Sequence, residues 1–265
     1  MPMPAEPLSP PPSTWPPAPS PCPLLPGHAH VHRVPLDLSE ATVHAMADVL
    51  APDERARAAK QRRPRDGARW IVARAALRYV LASYIGGDAA DVEFVVDDLG
   101  KPRLAPSTTR SAAVRAADLA FNLSFNLSHS DGIALIAVTR GARIGVDIEA
   151  TGRRTDFAAI AERYFSNSER AYLARLTPDV RADAFFVLWT AKEAYTKALG
   201  TGLSAGFPRF AVVVAEDGRL AVDAAGGSDW SLCRLAPGRG YHGALAMDVA
   251  DVRVHRWEWR PATGG

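Results

Sequence analysis

Two short segments concentrate the groups able to do chemistry. Asp147 and Glu149 lie in Gly145-Val146-Asp147-Ile148-Glu149, an alternating run with the period of a strand. Glu193 and Lys197 lie in Trp189-Thr190-Ala191-Lys192-Glu193-Ala194-Tyr195-Thr196-Lys197, which has helical spacing. Both runs are otherwise apolar, and carboxylates in apolar surroundings are costly to bury without a neutralising positive charge. A hard divalent cation gripping a phosphate substrate is the neutraliser that suits several carboxylates together, which points to phosphate chemistry. Residues two apart on a strand share a face, about 6.6 Å apart along it, so Asp147 and Glu149 can reach one ion while Val146 and Ile148 pack behind them. A solvated strand face is the plain alternative for Asp-x-Glu taken alone.

The helical segment is apolar nearly all round. Phe185, Leu188, Ala191, Tyr195, Ala198 and Leu199 form one arc, with Phe186 and Trp189 on the other side, so the helix is expected to be central. Glu193 and Lys197, four residues apart, project together from the Phe186/Trp189 side. An ordinary helix ion pair is the competing account, although a semi-buried pair contributes little stability. Before them in the chain, Phe125-Asn126-Leu127-Ser128-His129-Ser130 offers Ser128 and His129 as hydrogen-bond donors to phosphate. A Ser-His nucleophile pair is the rival reading there, with no partner Asp in evidence. Lys101, after Gly100, is a candidate point charge. Basic residues also gather from Arg55 to Arg78, with Arg74 and Arg78 bordering a helical stripe. A solvated basic face is the default for these, and a site for the anionic end of a nucleotide-like ligand is the alternative.

The elements that must position these groups follow from periodicity and breakers. Val31–Val34 reads as a strand ended by Pro35, Ser39 as the N-cap of a helix over Glu40–Leu50, and Pro52 as the first turn of the next. Trp70, Ala73, Leu77, Val80, Leu81 and Tyr84 predict a helix over Arg69–Ile85, stopped by Gly86-Gly87. Val92–Val96 reads as a strand, followed by a turn at Leu99-Gly100-Lys101-Pro102. Ile133–Val138, the Arg140-Gly141 turn and the alternating Ile144, Val146 and Ile148 predict a hairpin. A helical region over Asp156–Leu199, broken near Asn167 and Thr177-Pro178, precedes strands at Phe210–Val214, Leu220–Val222, Gly243–Val249 and Val252–Trp259. Helices and strands are mixed rather than alternating, which predicts an α+β fold. The organisation expected is a disordered proline-rich leader over 1–27, an N-terminal α+β half over 28–140 and a C-terminal half over 141–265.

Composition narrows the function. With 48% hydrophobic and 23% charged residues the 265-residue chain can build a sizeable core, and a net charge of +2 is too small to argue for nucleic acid. Two cysteines, Cys22 and Cys233, make a disulfide framework or a cysteine-based zinc site improbable, in keeping with the cytoplasm. No run of about 18 apolar residues exists to span a membrane, and the leader lacks the pattern of a signal peptide.

Taken together, Gly100-Lys101-Pro102, the Phe125–Ser130 segment, Gly145–Glu149, Phe165-Ser166 with Glu169, and the run from Trp189 to Leu203 resemble the 4′-phosphopantetheinyl transferase superfamily. The likeness is to the longer, broad-range type, and covers about residues 31–215. It implies transfer of the phosphopantetheine arm of coenzyme A to a serine of an apo carrier protein or carrier domain of a polyketide, nonribosomal peptide or fatty acid synthase. It also implies release of adenosine 3′,5′-bisphosphate. By resemblance Asp147, Glu149 and Glu193 hold Mg²⁺, with Mn²⁺ as an alternative ion. Asp147, Glu193 and Lys197 are the catalytic set, with Glu193 as the serine base and Lys197 on the pyrophosphate. Lys101, Pro102, Ser128, His129 and Lys197 match coenzyme A-contacting positions; Arg78 is assigned with His129 to the 3′-phosphate, and Arg69 and Arg74 are further candidates. The family fold implies two pseudo-symmetric halves with the active site in the cleft between them, in a monomer, the carrier docking near Asp156–Thr177. The tandem Phe121-Asn122-Leu123-Ser124 and Phe125-Asn126-Leu127-Ser128 departs from the family pattern, as does the leader. A magnesium-dependent phosphatase or nuclease, or a non-catalytic coenzyme A binder, are the rival functions.

Overall fold

The computed structural model describes residues 14–19, 22–98, 100–106, 122–152, 156–200, 210–223 and 229–261. Met1–Ser13 of the leader, Leu99 of the expected turn, Phe121 of the tandem and Thr201–Leu203 of the motif run lie outside them. Helices and antiparallel strands are mixed, and the fold is α+β. The chain forms two compact units, one built from Trp15–Gly141 with the segment from Val254 onward, the other from Ala142–Arg253.

In the first unit, β1 (His28–Pro35), β4 (Leu123–Ser130), β5 (Ile133–Arg140) and β11 (Arg253–Glu258) form a sheet in the order β11-β1-β5-β4. Helix α3 (Pro64–Ile85) supplies Val72, Ala76, Leu77, Val80 and Leu81 to a core shared with Val34, Phe125, Ile136 and Val138. Its Pro64 occupies the first turn, where a missing N–H costs nothing, and Gly86 caps its end at φ 71°. Helices α1 (Glu40–Ala47) and α2 (Pro52–Ala59) pack on α3, and the short strands β2 (Phe94–Val96) and β3 (Pro102–Leu104) pair as a hairpin.

In the second unit, β6 (Ile144–Ala150), β7 (Ala211–Val214), β8 (Leu220–Asp223), β9 (Ser231–Leu235) and β10 (Tyr241–Met247) form a sheet in the order β6-β10-β9-β8-β7. Helices α4 (Phe157–Tyr164) and α5 (Asn167–Arg175) precede α6 (Pro178–Leu199), which lies against β6 and β10. Thirteen of its residues are buried, in agreement with an all-round apolar helix. The ends of the unit meet: Asp248 N–H donates to the Arg143 carbonyl at 3.3 Å, and Arg143 N–H and Nε donate to the Asp248 carboxylate at 2.5 and 2.7 Å.

One expectation is overturned. The predicted hairpin of residues 133–148 does not form, because β5 belongs to the first sheet and β6 to the second. The hairpin partner of β5 is β4, through the two-residue turn Asp131-Gly132, with Asp131 in the left-handed region at φ 49°, and β1 pairs with the other edge of β5. Strand β4 reads weakly because Phe-Asn-Leu-Ser repeats lack β-branched residues. Of the leader, residues 15–19 and 22–27 lie on the first unit, with Trp15 and Leu24 buried, Pro17 bridged to Glu258, and Glu258 N–H donating to the Pro16 carbonyl at 2.7 Å. Prolines have no backbone N–H to satisfy and already favour an extended backbone, so such a segment can lie beside a strand while its aromatic and aliphatic residues are covered.

Candidate active site

On β6, Gly145, Asp147 and Glu149 share a face while Ile144, Val146 and Ile148 are buried on the other. The first face lies beneath α6, and Gly145 is what allows the approach. A Cβ at that position would fall within 3.0 Å of the Ala194 carbonyl oxygen and the Ala198 nitrogen. Helix backbone therefore rests on strand backbone at Gly145, and one pleat further Asp147 meets the last two turns of α6. Lys197 Nζ donates to Asp147 Oδ1 at 2.6 Å, with the Asp147 side chain 4% exposed and that of Lys197 29% exposed.

Glu193, one turn before Lys197, is 9% exposed. Burial pushes its carboxyl up from 4.5 to about 7, Asp147 and Glu149 push it the same way, and Lys197 opposes them. Three carboxylates and one ammonium thus feel one another within a largely buried patch of the second unit. Among the described residues no three His, Cys, Asp or Glu side chains are gathered closely enough to chelate an ion as they stand. The donor set nevertheless fits a hard dication: all are oxygen ligands, and the repulsion that raises Glu193 is what a divalent charge would relieve.

Two neighbours were not singled out by pattern. Lys192, fully buried, donates to Glu169 Oε1 and Oε2 at 3.1 and 3.0 Å and to the Phe210 carbonyl at 2.9 Å. Glu169 also accepts from the N–H groups of Val212 at 2.7 Å and Ser166 at 2.7 Å, the latter as half of a capping box that begins α5. The pair ties α5 and the start of β7 to the turn of α6 that carries Glu193. His242, across the ladder from Glu149, stacks on Phe186 at 5.5 Å and lies 3.2 Å from Asp183 Oδ1. The sequence signal for Lys192–Glu169 was the Ser-x-x-Glu cap, which left Lys192 as its hidden counter-ion.

The remaining candidates belong to the first unit. Ser128 is buried and His129 exposed at the end of β4; Lys101 N–H donates to Asp97 Oδ1 at 2.8 Å after the turn at Gly100, and Pro102 opens β3. Both Phe-Asn-Leu-Ser copies enter β4 from Leu123 on, so the tandem lengthens one strand by whole pleats and keeps its faces.

The arginines differ from expectation. Arg78 is 3% exposed, donates from Nε to Glu54 Oε2 at 2.8 Å and from Nη1 to the carbonyls of Ala89, Ala90 and Val92 at 3.0, 3.2 and 2.8 Å. Arg74 also pairs with Glu54 and lies over the Phe94 ring at 3.9 Å. These contacts make Arg78 a structural clamp and engage Arg74 in the same cluster, because Glu54 of α2 draws both cations inward. Arg69 donates to both oxygens of Asp37 at 2.8 Å and to Asp131 Oδ1 at 2.6 Å, joining α3 to the β4–β5 turn. Arg69 and Arg65 hold the Asp37 carboxyl well below the usual range.

Comparison with known proteins agrees with the geometry. A profile of the 4′-phosphopantetheinyl transferase superfamily matches residues 143–246, and one of the 4′-phosphopantetheinyl transferase N-terminal domain matches residues 37–140. The 4′-phosphopantetheinyl transferase HetI of a Nostoc species is 33% identical over 249 residues, 94% of this chain and 96% of that protein. The transferase Sfp of Bacillus subtilis is 28% identical over 186 residues, 70% of this chain and 76% of Sfp. A solved holo-(acyl-carrier-protein) synthase from Bacillus anthracis aligns at 23% identity with a TM-score of 0.36 over 40% of this chain and 95% of its own, a likeness too low to argue from. The chain belongs to the 4′-phosphopantetheinyl transferase superfamily.

Proposed function

We propose that this transferase moves the 4′-phosphopantetheine arm of coenzyme A to a serine hydroxyl of an apo carrier protein, in a Mg²⁺-dependent reaction that releases adenosine 3′,5′-bisphosphate. The observation that carries the reading is the convergence of Asp147, Glu149, Glu193 and Lys197 on one patch, with Glu193 raised to about 7. Asp147, Glu149 and Glu193 would hold the ion. Bound there, Mg²⁺ (or Mn²⁺) supplies charge neutralisation at the diphosphate. Glu193, with a carboxyl that exchanges protons near neutrality, takes the serine proton at an Oε atom directly or through water. The serine oxygen bonds to the phosphorus that carries pantetheine, and the bond from that phosphorus to the adenosine-side phosphate oxygen breaks. Lys197 Nζ offers its charge to the pyrophosphate or the departing oxygen.

Lys101, Pro102, Ser128 and His129 remain the candidates for coenzyme A contact, and Arg69 enters only by loosening its grip on Asp37 and Asp131. For the carrier, a cavity of about 590 Å³ floored by Phe157, Leu173 and Phe185 and edged by Glu162, Arg170 and Arg181 supports docking on the α4–α5 region. A polyketide, nonribosomal peptide or fatty acid synthase would supply that carrier. The reading is of a monomeric cytoplasmic enzyme, and among the described residues no helix is long and apolar enough to cross a membrane. The test is incubation with coenzyme A, Mg²⁺ and several apo carriers: a carrier should gain the mass of one phosphopantetheine, and unchanged carriers would overturn the reading.

A further inference from the structure

The first sheet ends at β11, and the outer edge of that strand is not bare. There Glu258 N–H donates to the Pro16 carbonyl at 2.7 Å and Pro17 lies parallel beside Glu258, while the next N–H, that of Trp259, turns inward to the Arg33 carbonyl at 2.9 Å. Proline suits such a place. The added segment accepts from the edge through a carbonyl, yet Pro16, Pro17 and Pro19 have no N–H with which to extend the sheet further. Trp15 and Leu24, 9% and 7% exposed, anchor the segment at either end. Tyr79 of α3 stacks on Trp259 with centroids 6.0 Å apart, and this aromatic pair lines a common cavity of about 1170 Å³ with Trp15, Pro17 and Pro19. A chain folded into one core leaves few voids larger than a water molecule, so the leader is seated by a few contacts, in the manner of a bound peptide.

We propose that the outer edge of β11 and the Tyr79–Trp259 pair form a recognition groove for extended, uncharged proline-rich segments, occupied here in cis by the leader and open to such a segment of a partner protein when the leader is displaced. Grooves of this kind set aromatic walls against a preformed polyproline backbone, whose ordering costs little entropy. The charges agree with an uncharged occupant. Glu258 holds Arg260 at 2.6 Å and Arg33 at 3.3 Å, and residues 15–26 carry no charged side chain to compete for them. A basic segment would meet Arg140 and Arg260 on the same wall. The short tether from Pro19 to β1 keeps the leader at an effective concentration on the order of millimolar, so a partner segment enters only where the leader lets go. This inference is independent of the transfer reaction and of the carboxylate patch.

The experiment is fluorescence anisotropy of a labelled synthetic peptide with the sequence of residues 14–26, titrated with the full chain under reducing conditions. The proteins are the wild type and Trp15→Ser, whose leader lacks one of its anchors. The expected result is saturable one-to-one binding to Trp15→Ser, with the wild type at least about tenfold weaker because its own leader competes. A peptide with alanine in place of Pro16, Pro17 and Pro19 should bind Trp15→Ser about tenfold more weakly, having lost its preformed backbone. Adding Tyr79→Ala to Trp15→Ser, at a position that is 39% exposed, should weaken the peptide at least about fivefold. Absence of saturable binding to Trp15→Ser overturns the proposal. So does equal affinity in the wild type, equal affinity for the alanine peptide, or affinity unchanged by Tyr79→Ala. Should Trp15→Ser not fold, the full chain with Pro16→Gly and Pro17→Gly, which keeps Trp15 and loosens the leader backbone, takes its place under the same outcomes.

Discussion

Lys197 Nζ lies 2.6 Å from Asp147 Oδ1, so that an ammonium from the last turn of α6 sits on the buried carboxylate at the centre of β6. If a divalent ion is the carboxylates' working partner, this ammonium is a partial substitute for it. Lys197→Met should lower stability in chelator by about 1–2 kcal/mol, less than for a fully buried pair because the lysine is partly exposed. Added Mg²⁺ should restore the melting temperature of the variant more than it raises that of the wild type. Equal shifts for both proteins would argue that the patch does not take the ion.

Glu193→Gln separates chemistry from folding. Loss of the proposed base should reduce carrier modification by about 10²–10⁴-fold. Stability without metal should hold or rise, because one of three mutually repelling carboxylates becomes neutral. Mass analysis of the carrier and a thermal melt test both halves; wild-type turnover in the variant removes Glu193 from the mechanism.

The histidines of β1 set an acid limit. Burial lowers His30 to about 4, with His255 and His28 adding to it, and burial lowers His32 to about 3, with His30 adding to it. The folded protein holds both neutral where the unfolded chain, near 6.5, binds protons. Their contribution is therefore complete above pH 6.5 and is lost as pH falls towards 4 and 3, by about 1.4 kcal/mol per unit for each group. Urea midpoints measured between pH 7.5 and 5 should fall steeply in the wild type and less so in His32→Phe. Parallel slopes would show that His32 is not the source.

The buried Lys192–Glu169 pair should behave as a unit. Lys192→Met leaves a carboxylate in the core and should cost about 3–5 kcal/mol, whereas Lys192→Met with Glu169→Met should recover a large part of that. A double-mutant cycle in urea measures the coupling; simple additivity contradicts the shared network.

Gly145→Ala should be severe for a reason of space. A methyl group there meets the backbone of α6 at Ala194 and Ala198, so the helix must move away from β6. A loss of about 1–3 kcal/mol is expected from overpacking, with a larger proportional loss of turnover because Asp147 and Glu193 separate. Activity retained at wild-type level would show that the spacing is not set at this point.

Much of this was legible in the sequence because local rules and tertiary structure agreed. The helices were announced by Ser39, Pro52, Gly86 and the Thr177-Pro178 step, and α6 by its all-round apolar character. The alternation Val146, Ile148 against Asp147, Glu149 foretold both the strand and its acidic face. What escaped depends on distant partners. The two-residue Asp131-Gly132 turn is a local signal that β5 pairs backwards with β4, but it was masked by the weak strand pattern of β4 and by the competing Arg140-Gly141 turn towards β6. Ser231–Leu235 (β9) is too mixed in composition to read as a strand alone. Arg78 and Arg74 looked available because their acid, Glu54, lies on another helix, and the leader looked loose because prolines carry no periodicity.

The crossings near residues 141 and 253 give the molecule a nested topology. Because Arg143 and Asp248 are hydrogen-bonded neighbours, the 112 residues from 142 to 253 behave as a cassette whose two ends leave side by side. A cut made only at the first crossing would strip β11 from the sheet that it edges. Excising the cassette and bridging Gly141 to Val254 keeps that strand in the same polypeptide, so the two kinds of deletion should be judged differently when the carboxylate-bearing unit is to be produced alone.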